Sequence, residues 1–403
     1  MAETAALVSG NQVSTTPSPA RTPITMESIT ALAERSSKMV EKIRGRLLAP
    51  EARKLAPSYS TTQLAALCNL DKAHVSYTVG KGEMPTGTLS PTGGKRIFTL
   101  PEVRTWTRTY RADKMRPQGQ KAVTIAVGNF KGGVAKTTTA MVLAQGLSLR
   151  GHRVLVIDAD PQGSLTTLHG ILPEAEVEEE MTIGPLCDGV ETDLSYAIRS
   201  TYWDGIDLVP AAPNLFNAEF TLPSRQMKEP GLEFWNVLNN GMAKAREIYD
   251  VIIIDTPPSL SYVTINALWA ADGIIVPVPP SGLDFASSAQ FWSLLSELGN
   301  SLDSKAAVPK EFSFLHVLLS RVDSGDSAMP VVRNWIQATY GQYVLPIEIP
   351  KTSVTANKAA EFATVYDVQK YDGSAKTLKR ASEAYDAFVE LVEQSLTATW
   401  AGE

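Results

Sequence analysis

The residues between positions 123 and 140 have the types and spacing of a phosphate-binding loop. They read VTIAVGNFKGGVAKTTTA, an apolar run of strand character followed by a glycine turn, a Lys-Thr pair and a helical pattern. Gly132 and Gly133 allow backbone N–H groups to turn toward an anion, and the N-terminus of the next helix adds its partial positive charge. Lys136 can reach the β- and γ-phosphates of a nucleotide, and the Thr137 hydroxyl can ligate Mg²⁺.

The loop departs from the ordinary pattern G-x-x-x-x-G-K-[ST] in two ways. Ala135 stands where the last glycine is usual, and a second lysine, Lys131, opens the run KGGVAKTT. A lysine this early in the loop lies on the outer side of bound phosphates. The nucleotide of a neighbouring subunit could lie there.

Two further apolar runs end in carboxylates. HRVLVIDADPQG carries Asp158 and Asp160, and YDVIIIDTPPSL carries Asp255. Parallel strands place their ligands at the carboxyl edge of the sheet, so we expect all three beside the phosphate loop. Such a set suffices for phosphoryl transfer, in which the protein mainly positions groups and stabilises charge, and no covalent nucleophile is required.

These three segments resemble the boxes of the ParA/MinD family of deviant Walker ATPases. The resemblance implies ATP or ADP and Mg²⁺ as cofactors, and it implies that Lys131 crosses a dimer interface to the partner's nucleotide. By the same resemblance Asp255 holds Mg²⁺ through a water, Asp160 orients or activates the attacking water, and Asp158 shapes the strand end and the magnesium shell. The residues then expected at the nucleotide are Gly132, Gly133, Val134, Ala135, Lys136, Thr137 and Thr138.

The resemblance also assigns residues further along the chain. The segment VPVPPSGLDFASS matches the family's stretch near the adenine, which makes Pro277, Pro279 and Asp284 base-side residues. The segment IPKTSVTANKAAEF lies where the family places basic residues for non-specific DNA contact. The candidates for that contact are Lys351, Lys358 and, more weakly, Arg321.

The elements around these residues alternate between strand and helix from about residue 121 onward. Runs such as VLVID, VIIID and GIIVPV are typical of strands buried on both faces. The fold class predicted is α/β, a doubly wound and mostly parallel sheet of the P-loop type. We predict strands at 123–129, 153–158, 206–210, 250–255, 273–278, 313–319 and 343–345, and helices at 136–150, 231–248, 261–271, 284–299, 328–340 and 374–396.

The front of the chain has a different pattern. Residues 1–25 are rich in Ser, Thr, Pro and Ala and are predicted to be disordered. An amphipathic helix is predicted over 26–50, with its apolar stripe favoured as a dimer contact. Residues 51–116 are predicted to form a winged helix-turn-helix domain, with Thr61 or Thr62 capping its first helix, and 121–403 the ATPase domain. The DNA-contact candidates of the front domain are Lys72, His74, Ser76 and Tyr77 on the second helix, and Lys95 and Arg96 on the wing.

Charge supports an anionic partner for the front segment. Residues 1–120 carry 17 Lys and Arg against 9 Asp and Glu, whereas the remainder carries 20 against 34. The net charge is therefore +8 for residues 1–120 and −14 for residues 121–403. A DNA-binding face on the second part must then be a local basic patch. A solvated basic surface is the alternative interpretation.

Composition places the chain among globular proteins, with 44% apolar and 20% charged residues. The sequence has no run of 18 apolar residues, so no transmembrane helix is predicted. The N-terminus lacks the basic region of a secretory signal. The two cysteines, Cys68 and Cys187, are far apart, so we expect neither a disulfide nor a cysteine metal site. We expect a cytoplasmic protein.

The order of amphipathic helix, winged domain and ATPase is similar to the larger plasmid-partition ParA proteins. That resemblance implies a homodimer clasped by ATP, non-specific DNA binding on the bacterial nucleoid, a ParB-type centromere-binding partner that stimulates slow hydrolysis, and repression of its own operon. The alternative is a nucleotide-gated transcriptional repressor without a motor role. A membrane-positioning MinD relative is disfavoured because the C-terminal helix is acidic rather than basic.

Overall fold

The computed structural model describes residues 25–47, 54–90, 93–306, 309–323, 325–352, 362–368 and 373–402. Contacts within the chain divide it into two units, residues 1–49 and 50–403. Lys358 and the predicted disordered segment up to residue 24 lie outside the described residues.

In the first unit the described residues, 25–47, form one helix, α1 (Met26–Leu47). The predicted start at Met26 is confirmed. Apolar side chains recur along it at helical spacing and are exposed in the single chain, namely Met26, Ile29, Leu32, Met39 and Val40. A 22-residue helix with such a stripe is marginal alone and needs a second surface to bury it.

The second unit begins with a small layer of three helices and three short strands. The strands β1 (Tyr59–Ser60), β2 (Thr88–Leu89) and β3 (Arg96–Phe98) form an antiparallel sheet in the order β1-β3-β2. The helices are α2 (Thr61–Leu67), α3 (Lys72–Lys81) and α4 (Leu100–Tyr110). The cap predicted at Thr61 or Thr62 was wrong, because the capping box is formed one residue earlier by Ser60 and Gln63. Asp71 caps α3 by accepting from the backbone N–H of His74 at 2.7 Å.

The body is built on an eight-stranded sheet, and its strand order is β11-β10-β9-β4-β8-β5-β7-β6. All pairings are parallel except that of the edge strand β6 with β7. The predicted mostly parallel α/β sheet is confirmed. The strands are β4 (Val123–Val127), β5 (Val154–Asp158), β6 (Arg199–Ser200), β7 (Ile206–Val209), β8 (Val251–Asp255), β9 (Gly273–Val278), β10 (Phe314–Val322) and β11 (Val344–Pro350).

Helices cover the sheet. They are α5 (Lys136–Leu149), α6 (Ser164–Leu168), α7 (Pro173–Glu176), α8 (Gly184–Asp188), α9 (Ala218–Lys228), α10 (Val237–Gly241), α11 (Ala243–Ile248), α12 (Tyr262–Ala270), α13 (Gly282–Asp303), α14 (Met329–Tyr340) and α15 (Ala375–Ala401). Among them α5 is the most enclosed, with an unbroken buried run from Thr139 to Leu149. The C-terminal helix α15 approaches it closely at Gly146, where a Cβ atom would lie 2.5 Å from Val389.

Two sequence predictions for the body need correction. The single helix predicted over 231–248 is instead a 3₁₀ turn (Phe234–Asn236) followed by α10 and α11, because the chain turns at Met242. The helix α9 was not predicted, since Pro223 inside it obscured the helical pattern. Within the described part of the chain, no helix is both long and apolar enough to cross a lipid bilayer.

Candidate functional site

The segment between β4 and α5 wraps around the N-terminus of α5. Gly133 has φ of +76° and Ala135 has φ of +74°, so two residues of the loop lie in the left-handed region. Glycine adopts this region freely, whereas alanine pays about 1–2 kcal/mol. Ala135 therefore adopts, at some cost in strain, the backbone conformation that the last glycine of the motif would provide. The N–H groups of the first turn, including those of Thr137 and Thr138, are left for a ligand.

Three side chains hold this loop, one from within it and two from the end of β10. Asn129 donates to the carbonyl of Pro277 at 3.0 Å and accepts from the N–H of Lys131 at 3.1 Å. From the end of β10, Ser320 donates to the carbonyl of Val134 at 3.0 Å. Arg321, itself at a φ of +53°, donates to the carbonyl of Gly133. Asn129 and Ser320 were missed by the sequence analysis, because nothing local marks them.

Lys136 points back into the loop. Its ammonium donates to the carbonyl of Lys131 at 3.1 Å, and the residue is buried. Burial lowers the pKa of Lys136, and the carboxylates Asp255 and Asp160 oppose that shift. The lysine is thus a buried cation facing two acids from inside an anion cradle, which is the position required to contact phosphate oxygens.

The Asp255 carboxylate is buried, and neither of its oxygens has a hydrogen-bond partner in the described part of the chain. Asp255 ends β8, directly opposite Val127 on β4 and Asp158 on β5. Neither oxygen has a hydrogen bond of ordinary geometry, although the Thr137 hydroxyl is near enough to lower its pKa. Burial, reinforced by Asp158, raises that pKa well above the usual value. Two orphaned carboxylate oxygens beside a hydroxyl fit a hard cation such as Mg²⁺, which takes oxygen ligands.

Asp158 has the same side chain on the neighbouring strand but a different environment. Its oxygens accept from the N–H of Thr166 at 2.8 Å, from the Thr166 hydroxyl at 2.7 Å and from the N–H of Asp160 at 3.2 Å. Burial raises its pKa to about 7 against those hydrogen bonds. Asp158 therefore organises the strand end, and its oxygens are already engaged. Asp160 lies two residues farther along the chain. Its carboxylate accepts from the backbone N–H of Gln162 at 3.0 Å.

A cavity of about 340 Å³ opens beside the phosphate loop. It is lined by Gly132 and Gly133, by Pro279 and Asp284 of the predicted base-side segment, and by Arg321 and Lys351. The third predicted base-side residue, Pro277, is buried within β9 instead. The ammonium of Lys131 lies 2.6 Å from the Asp284 carboxylate at the rim of this cavity.

Two of the DNA-contact candidates of the body, Arg321 and Lys351, line this same cavity, and each already has a partner. Arg321 is bonded to the loop, and Lys351 forms an ion pair with Asp323 at 3.1 Å on the cavity rim. Lys358 lies outside the described residues.

The candidates on the front domain differ in the partners that their side chains already have. Lys72, Tyr77 and Lys95 are exposed, and the ammonium of Lys81 lies 4.6 Å from the centre of the Tyr77 ring. His74 contacts the hydroxyl of Tyr110 at 3.2 Å, Ser76 donates to the carbonyl of Lys72 at 2.9 Å, and Arg96 donates to the carbonyl of Thr86. A nucleic-acid contact of α3 would therefore rest first on Lys72 and Tyr77.

Several basic side chains of the front segment form ion pairs with acids elsewhere in the chain. Four arginines on and after α4 pair with acids of the body: Arg104 with Asp204, Arg108 and Arg116 with Asp250, and Arg111 with Glu393. Lys54 likewise pairs with Asp367 at 2.9 Å. These ion pairs hold the front domain against the ATPase body, and Arg116, in the segment that joins the two, also donates to the carbonyls of Arg246 and Glu247.

Comparison with known proteins agrees with this geometry. Residues 122–308 match a family model described as an AAA domain. The chain is 30% identical over 366 residues to a putative replication protein A from Sinorhizobium fredii, covering 87% of this chain and 89% of that protein. It is 31% identical over 262 residues to the chromosome partitioning protein ParA of Caulobacter vibrioides, covering 64% and 92%. A solved structure, the cobyrinic acid a,c-diamide synthase of Mycobacterium smegmatis with bound ADP and magnesium, superposes with a TM-score of 0.54 at 29% identity, covering 70% of this chain and 97% of that one.

Proposed function

The chain belongs to the ParA/MinD family of deviant Walker ATPases and is a ParA-like partition ATPase, and from this premise we propose that it moves a replicon by ATP-driven DNA partition. In this proposal two copies clasp two ATP molecules, the dimer binds DNA without sequence preference, and a ParB-type partner triggers hydrolysis and release. The front domain represses the operon that encodes the protein. The protein is associated with the nucleoid in the bacterial cytoplasm.

The observation that carries the proposal is the pairing of a buried cation with an orphaned buried carboxylate under a phosphate cradle. Among the described residues, Lys136 donates to a backbone carbonyl and neither oxygen of Asp255 has a hydrogen-bond partner. The buried carboxylate costs stability in the single chain, and both side chains gain partners when Mg²⁺ and a triphosphate bind. A structural role alone does not explain a buried carboxylate without a hydrogen bond beside a buried ammonium.

The chemistry follows from these positions. Backbone N–H groups of the loop and the Lys136 ammonium bind the phosphates, while Asp255 and Thr137 would hold Mg²⁺, which neutralises phosphate charge when bound. Asp160 orients a water toward the γ-phosphorus, whose bond to the bridging oxygen breaks to give ADP and phosphate. Lys131 of one copy reaches the nucleotide of the other and stabilises the charge that develops there.

Replacing Lys136 by alanine tests the enzymatic part. We expect Mg²⁺-dependent ATP hydrolysis by the purified chain to fall on the order of 100-fold or more, because a phosphate-binding cation is lost. Lys121→Ala removes an exposed lysine outside the site and should retain the activity of the wild type. Hydrolysis that persists in Lys136→Ala would refute the assignment.

The DNA-binding parts need point variants rather than truncation. Removing residues 1–120 would take Arg108 and Arg116 away from the buried Asp250 and Arg111 away from the buried Glu393. Lys72→Ala with Tyr77→Ala instead changes only exposed side chains of α3. We expect loss of operator binding with retention of ATP-dependent binding to random DNA. Loss of plasmid stability only through altered operon expression would favour the alternative of a nucleotide-gated repressor.

A further inference from the structure

The loop lysine Lys131 is held inside its own subunit by an acid. Its ammonium lies 2.6 Å from one oxygen of Asp284, and the side chains are 34% and 15% exposed. The other oxygen of Asp284 accepts from the hydroxyl of Ser281. Ser281 also caps α13 by accepting from the backbone N–H of Asp284 at 3.3 Å. The carboxylate is therefore fixed at a helix N-terminus, where an anion is favoured.

The backbone of Lys131 is held on both sides, so only its side chain is free to choose a partner. Its N–H donates to Asn129, and its carbonyl accepts from Lys136. The ammonium can consequently move between nearby anions while the loop stays in place. In the single chain, Asp284 is the acid with which it forms an ion pair.

We propose that Asp284 is the positioning residue of Lys131. It holds the ammonium within its own subunit until the nucleotide of a second copy offers a more highly charged partner. The inference rests on the proposed function, in which Lys131 acts across a dimer. Every dimerisation event must then exchange the Asp284 ion pair for a contact with phosphate. Asp284 thereby weakens the dimer and prevents Lys131 from being exposed as a free cation.

Asp284→Asn tests this with little change to the fold. The amide keeps the volume of the side chain and can still bond Ser281, but it removes the charge that holds Lys131. We expect the dissociation constant of the dimer, measured by sedimentation with Mg²⁺ and a saturating non-hydrolysable ATP analogue, to tighten about three- to tenfold. This range corresponds to about 0.3–0.7 kcal/mol for each of the two partly exposed ion pairs that are exchanged when one dimer forms. Asp284→Ser, which also lacks the charge and can cap a helix, repeats the measurement if the first variant is unstable.

Two controls separate positioning from a general charge effect. Glu297→Gln removes one negative charge from the same helix about 20 Å farther along its axis and should leave the dimer constant unchanged. In a Lys131→Ala background, Asp284→Asn should have no effect on the constant, because the pair no longer exists.

The outcomes are distinct. Tightening in Asp284→Asn that is absent from Glu297→Gln and abolished by Lys131→Ala supports the inference. A wild-type dimer that Asp284→Asn leaves unchanged, or tightening that survives Lys131→Ala, overturns the inference alone. A wild-type chain that stays monomeric with the analogue refutes the proposed dimer and this inference with it.

Discussion

Replacing the aspartates at the two ends of β8 by asparagine should change the stability of the ligand-free protein in opposite directions. Asp250 precedes the strand and Asp255 ends it, and both are buried. Asp250 accepts from the backbone N–H of Arg153 at 2.8 Å and from Arg116 at 3.2 Å. Burial pushes the pKa of Asp250 upward, but bonds from Arg153 outweigh it and hold that pKa below the usual value. Asp255 has no such partners, and its pKa is raised.

The magnitude follows from what each carboxylate costs. A raised pKa means that the ionised Asp255 carboxylate costs stability at pH 7; the cost is at most about 4 kcal/mol, which is the free energy of protonating at that pH a carboxyl whose unfolded pKa is about 3.9. Nearby Lys136 offsets part of this, so we expect Asp255→Asn to stabilise the ligand-free protein by about 1–3 kcal/mol. Asp250→Asn should destabilise it by about 3–5 kcal/mol, because it leaves the mostly buried Arg116 without a counter-charge.

The pH dependence of the two effects also differs. The folded state binds the Asp255 proton more tightly than the unfolded state, so wild-type stability falls as pH rises above the unfolded pKa. The gain from Asp255→Asn should therefore be larger at pH 8 than at pH 5. Asp250 has a lowered pKa, so the stability it contributes is present above the unfolded pKa and is lost as pH falls.

Urea unfolding in EDTA measures both variants. A second measurement with Mg²⁺ and an ATP analogue at about 100 times the dissociation constant should stabilise the wild type by about 2.7 kcal/mol. Asp255→Asn should lose most of the Mg²⁺-dependent part of that gain, whereas Asp250→Asn, if folded, should keep it. A destabilised ligand-free Asp255→Asn protein would refute our view of an orphaned carboxylate kept for a cation.

Two further predictions concern backbone strain and acid stability. Ala135→Gly should stabilise the protein by about 0.5–1 kcal/mol in urea unfolding, since relief of left-handed strain exceeds the entropy that glycine adds to the unfolded chain. Ala112→Gly, in an exposed 3₁₀ turn, should destabilise it by a similar amount, and equal signs for the two variants would contradict the argument. Burial, aided by Lys54, lowers the pKa of His169 to about 3, so the unfolded state binds the extra proton between pH 3 and 6.5. The free energy of unfolding of the wild type should then fall below pH 6.5 by up to about 1.4 kcal/mol per pH unit. His169→Phe should make this pH dependence flatter. Parallel profiles for the two proteins would show that His169 does not cause the acid destabilisation.

Local sequence patterns were sufficient for the sheet and the phosphate loop. The runs ending in Asp158 and Asp255 are buried strands, and their common edge follows from parallel pairing. The loop from Lys131 to Thr137 is identified by spacing alone, because the path of its backbone depends on where its glycines lie. Helix boundaries were less certain where Pro223 or a turn at Met242 interrupts the helical pattern.

The sequence determined which residues have chemical groups and which strands bring them to one edge. Only the tertiary structure decided which of those groups are already engaged: Asp158 is bonded by Thr166 while Asp255 is orphaned, and Arg104 and Arg111 serve the body rather than an external anion. The physical reason is that periodicity along a chain reports burial and backbone direction. The partner of a charged side chain depends on which distant segments pack against it.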